Sequence, residues 1–135
     1  MTILKIRHFN DFELKHMLGG KYLELLVNTI NGEVIHVDPG LGHIRTAAEY
    51  LKTPVDEIDE TNAHHLVSVV VTIENKVVKE IGIGRSSLEL GPRMHHSRTE
   101  LKRAKKIMER MMRFSRQLGE VKIIDDIRKH EFVFH

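Results

Sequence analysis

Asn31-Gly32 constrains this chain more than any other pair of residues. It separates two runs rich in strand formers, Tyr22–Ile30 and Glu33–Asp38. Asn-Gly is the preferred dipeptide of a two-residue hairpin turn, because both of its residues tolerate positive φ. Such a turn would set Thr29 opposite Val34, Val27 opposite His36 and Leu25 opposite Asp38. One face of the ribbon would carry Leu23, Leu25, Val27, Thr29, Val34, His36 and Asp38. The other would carry Tyr22, Glu24, Leu26, Asn28, Ile30, Ile35 and Val37. Neither face is cleanly polar, so both call for cover: a helix on one side and another subunit on the other.

A second hairpin follows. Leu66–Ile73 holds five valines and isoleucines in eight residues, the strongest strand signal in the chain. Glu74-Asn75-Lys76 turns it back into Val77–Ile83. Between the hairpins, Ile44–Leu51 reads as a short helix stopped by Thr53-Pro54, and the acidic run Asp56–Glu60 as a loop or one further helical turn. After Gly91-Pro92, Ser97 and Glu100 form a capping box. From there Leu101, Ala104, Met108, Met111, Ser115 and Leu118 recur at a helical spacing, widened by Ile107, Met112 and Phe114, up to Gly119. Ile3–Ile6 and Phe132–Phe134 read as short strands and Asp11–Leu18 as a helix. The order ββα-ββα predicts a two-layer α+β fold, an antiparallel sheet of two β-hairpins packed against helices. The two Gly-x-Gly loops, Gly40–Gly42 and Gly82–Gly84, suggest an internal repeat.

At 135 residues the chain suits a single domain, 1–135, that buries roughly two-thirds of its unfolded surface. It has no cysteine, which excludes disulfides, thiolate metal sites and cysteine nucleophiles. No apolar run approaches the ~20 residues of a membrane span, and the charged N-terminus lacks a signal core. A cytoplasmic protein without membrane contact is the expectation.

Charge is unevenly spread. Residues 34–62 set six acids against Arg45 and Lys52, whereas residues 85–116 set ten cations against Glu89, Glu100 and Glu109. The long helix places Lys102, Arg103, Lys105, Lys106, Arg110 and Arg113 away from its apolar seam, with Arg85, Arg93 and Arg98 before it. A surface of that kind suits phosphates, each contact releasing a counterion. Few aromatics accompany it, so base stacking is not its means. In Gly82-Ile83-Gly84-Arg85-Ser86, backbone N–H groups and a hydroxyl can form a phosphate nest. Ten histidines are the other oddity. His36 and Asp38 share a strand face and His43 follows across a turn, a possible metal set.

The valine-rich hairpin, glycine loop and basic helix over residues 66–118 resemble, in order and charge, double-stranded-RNA-binding domains and strand-annealing proteins. The stretch LELGPRMHH interrupts the RNA-binding family's loop-to-lysine spacing, so no site residue carries over from either.

The reading is therefore a non-enzymatic accessory protein that binds nucleic acid or another polyanion through its basic helix and the loop before it, with no cofactor. The alternatives are a homo-oligomer that holds a small phosphorylated ligand and a histidine-dependent metalloenzyme. The wide apolar stripe predicts a homo-oligomer in any case.

Overall fold

A computed structural model of the chain describes residues 5–6, 22–38, 40–74, 77–84, 98–113 and 121–124. The expected helix at 11–18, the turn at 75–76, Ser97, Phe114, Leu118, Gly119 and the strand at 132–134 lie outside them, and of Ile3–Ile6 only residues 5 and 6 are inside.

The fold is α+β. Strands β1 (Tyr22–Asn28) and β2 (Val34–His36) lead into helix α1 (Gly42–Leu51). A 3-10 turn at Val55–Glu57 and a single helical turn, α2 (Glu60–Ala63), follow where the acidic run was expected to loop or coil once. Asp59 and Asn62 cap α2 reciprocally. Then come β3 (Leu66–Glu74), β4 (Val77–Ile83), helix α3 (Arg98–Arg113) and a short β5 (Lys122–Ile124). The sheet order is β2-β1-β3-β4-β5. The first four strands are antiparallel, and β5 adds in parallel beside β4. Lys5 pairs with Ile35 on the outer edge of β2.

The first hairpin forms, with a different register. Leu25 faces His36, Leu26 faces Ile35 and Val27 faces Val34. The connection is a four-residue loop, Thr29–Gly32, instead of a two-residue turn. Asn28 causes this: its Oδ1 accepts the N–H groups of Ile30 and Asn31 at 2.9 and 3.3 Å, while its carbonyl accepts from Gly32. Gly32 takes the positive φ, +79°. The slip is by two residues in pairing, so every side chain keeps its face.

Both faces are indeed covered, and this chain's own helices do it. On one face Leu23, Leu25, Val27 and Val34 join Val67, Val69, Val71, Ile81 and Ile83 beneath Leu101, Ala104, Met108 and Met111 of α3. On the other, Leu26, Ile35, Val37 and Leu66 pack on Ala47 and Ala48 of α1, with Ile58 and Ala63. The apolar surplus assigned to a subunit contact is thus enclosed within the chain along the hairpin. In α3 the seam faces the sheet, and Ile107 and Met112 are half-buried against it. A bulge at Thr72/Ile73 pairs Thr72 with Glu80 but Ile73 with Val78. The extra residue, Lys79, returns Val78 to the core face.

Two crossovers set the layers. β2 and β3 run parallel, joined through α1; β4 and β5 run parallel, joined through α3. Both connections step the same way across the sheet from strands of opposite direction. A common hand then requires α1 and α3 on opposite faces, as found. This removes the expected internal repeat. Hairpins related by a two-fold axis between the antiparallel neighbours β1 and β3 would keep both helices on one face.

Candidate nucleic-acid interface

Helix α3 is built from good helix formers with no glycine or proline between Arg98 and Arg113. Leu101, Ala104, Met108 and Met111 are 0–7% exposed. Opposite them Arg98, Lys102, Arg103, Lys106 and Arg110 are exposed and Lys105 is half-buried. Arg103 pairs with Glu100 at 3.3 Å. The side chains of Lys102, Lys106 and Arg110 have no ion pair or hydrogen bond among the described residues. They stand four residues apart, about 6 Å along the helix axis per step. The backbone of Arg113 continues the helix. Arg85, Ser86 and Arg93 lie outside the described residues.

The glycine nest is not formed by Gly82 and Gly84. Gly82 sits inside the β4 ladder opposite Val70, and the Gly84 N–H donates to the Ser68 carbonyl at 2.8 Å. A donor used by the sheet cannot also hold a phosphate. The earlier loop is likewise committed, because Asp38 takes the Gly40 N–H on Oδ1 and the Leu41 and Gly42 N–H groups on its carbonyl. The loops follow antiparallel strands, β2 and β4, and so lie at opposite ends of the sheet.

The metal set is not assembled either. His36 follows Ile35 on β2 and by alternation points to the α3 side. His43 lies in α1 on the other side, its side chain fully enclosed and its Nδ1 3.9 Å from Glu24 Oε2. Among the described residues no three His, Asp or Glu side chains could hold an ion together.

A polar cluster gathers where β1 ends, β3 begins and α3 starts. The Thr29 hydroxyl donates to the Glu100 carboxylate, and the Thr29 N–H donates to the His65 carbonyl at 2.9 Å. His64 and His65 meet edge to face with centroids 5.4 Å apart. Close by, Tyr50 donates to Glu33 at 2.5 Å, Asn28 and Asn31 donate to the Tyr50 hydroxyl, and Lys5 pairs with Glu33.

No protein-family model, curated protein or solved structure matches this chain. Function is therefore read from the site alone. Of the residues marked in the sequence, the α3 cations come together as one surface, while the glycines and the histidine–aspartate set do not. The cluster of Thr29, His65 and Glu100 was missed. The capping-box glutamate stood out in the sequence, but nothing local joins residues 71 positions apart.

His65 supplies a pH test. Burial, reinforced by the neighbouring His64, pushes its imidazole below the ordinary value, and Glu100 opposes this. Burial likewise lowers His36 against the pull of Asp38. The unfolded chain therefore binds protons that the folded chain resists. Stability is complete above the unfolded histidine value, about 6.5, and falls as pH drops through the lower folded values. Urea midpoints should decrease from pH 7.5 to 5.0, and His65→Gln should flatten that decrease. A midpoint independent of pH over this range would contradict the assignment.

Proposed function

We propose that this protein binds nucleic acid through the outer face of α3, by contact with phosphates and without reading base sequence. The observation that carries this is the row Lys102, Lys106 and Arg110, three exposed cations with no acidic partner among the described residues. A folded chain gains little from such a row by itself, since like charges on adjacent turns repel. A polyanion removes that repulsion and releases condensed counterions. Arg98, four residues before Lys102, extends the row toward the start of the helix, and Arg103, paired with Glu100, lies beside it. No aromatic residue lies in α3, which supports backbone contact over stacking along the helix itself.

The test is a salt titration with short DNA and RNA of mixed sequence. Four or five phosphate contacts predict a log–log slope of about −3 to −5. Replacing Lys102, Lys106 and Arg110 by Glu should abolish measurable binding while circular dichroism stays unchanged, because all three side chains face water. Absence of binding by the native chain at low salt, to single and double strands alike, would overturn the proposal.

A further inference from the structure

A groove of about 350 Å³ opens beside this cationic row. Its walls are Lys5 and Ile6 at the edge of β2, the hairpin stretch Asn31–Val34, and Ile107, Arg110 and Met111 of α3. Ile6, Val34 and Met111 are each 4% exposed and form an apolar floor, with Ile107 half-buried beside them. Arg110 belongs to both features: it lines the groove and stands in the cationic row.

The charges differ between floor and rim. Glu33 is held as a carboxylate, below its usual range, chiefly by Lys5 and also by Tyr50 and Asn31, and its bond to Tyr50 of α1 turns it to the side of the sheet away from α3. Lys5 is taken up by its pair with Glu33. A phosphate placed on the floor of Ile6, Val34 and Met111 would meet apolar side chains and no spare cation among the described residues. At the rim, Arg110 has no partner among the described residues. The groove therefore suits an uncharged, largely apolar group that carries an anion on the side facing α3. Its volume lies at the small end of ligand sites, the scale of one heterocycle and its sugar.

We infer that the groove receives one unstacked base of a single strand lying along α3, with Arg110 on the adjoining phosphate. The inference rests on the phosphate-binding reading of α3 and deepens it. Backbone contacts hold the strand without regard to sequence, and the groove adds a preference for strands whose bases are free to leave the stack. Asn31 and Gly32, both exposed, form the part of the rim contributed by the hairpin.

The experiment compares a twelve-nucleotide dA strand with an abasic strand of equal length and charge, at one salt concentration, on the native chain. Burying a base on an apolar surface predicts a preference of about tenfold for the intact strand. Ile107→Gln, which makes the apolar wall polar and leaves every cation in place, should bring the affinity for the intact strand down to that for the abasic one. If Ile107→Gln fails to give the native circular dichroism, the smaller Ile107→Thr replaces it. Equal affinity of the native chain for both strands, with the salt slope intact, would overturn the groove and leave the α3 reading standing. A base preference that survives in a folded Ile107 variant would overturn it too. If neither strand binds but a duplex does, the groove falls and the α3 reading stands; if no strand, single or double, binds, both fall.

Discussion

Met108→Ala should lower the free energy of unfolding by about 2–5 kcal/mol. Met108 is fully enclosed and is the large side chain of the α3 seam that the sheet covers completely. The rest of the seam consists of Leu101, Ala104 and Met111. Ala104 offers little surface, and Leu101 and Met111 retain a few per cent of theirs at the margins. Removing the Met108 thioether leaves a void above β1, β3 and β4, which a twisted sheet cannot close by moving one strand. Domains of this size are held by about 5–15 kcal/mol, so the loss is a large fraction of the whole. Lys106→Ala, on the same helix but facing water, should change stability by no more than about 0.5 kcal/mol. Urea midpoints for the two variants measured together test the orientation of α3. Equal shifts would mean that the helix does not rest on the sheet as described.

Asn28→Ala should cost about 1–3 kcal/mol, an effect large for a polar residue at the end of a strand. Asn28 is 7% exposed, and its side chain satisfies two loop N–H groups while donating to Tyr50 at 3.0 Å. Alanine leaves all three partners without it. Asn28→Asp separates the roles. It keeps the acceptor for Ile30 and Asn31 but loses the donor to Tyr50, and it brings a second carboxylate near Glu33. Its destabilisation should therefore shrink at low pH, where the new carboxyl is protonated and can donate. If Asn28→Ala unfolds at the native urea concentration, the loop does not depend on this side chain.

The same asparagine explains where sequence reasoning stopped short. Runs of leucine, valine and isoleucine made β1, β3 and β4 legible, and the 3-4 spacing of Leu101 to Met111 made α3 legible, because each pattern is local. The register of the first hairpin was not. Asn31-Gly32 announced a two-residue turn, but Asn28, three positions earlier, binds the loop N–H groups and lengthens it. Which helix covers which face was also hidden, since that follows from the direction of the strands each helix joins. The cations of α3 could be placed because the helical period alone sends them outward. Gly82 and Gly84 were misjudged because their N–H groups are claimed by Val70 and Ser68 on a neighbouring strand. The β5 segment, Lys122–Ile124, lay in an apolar tail whose few branched residues marked no strand until β4 stood beside it.

The position of β1 bears on how the chain is made. β1 is an inner strand whose two neighbours are unequal in time: β2 follows it within a few residues, but β3 begins only at Leu66. On the ribosome, the first hairpin is complete while one side of β1 still shows its unpaired N–H and carbonyl groups, next to Leu23, Leu25 and Val27. An open, apolar strand edge is a template for any other extended chain. Closing it requires contacts distant in sequence, which form slowly. The interval between synthesis of Asn28 and synthesis of β3 is thus the period in which this protein is most exposed to aggregation, and when a chaperone would matter most to its yield.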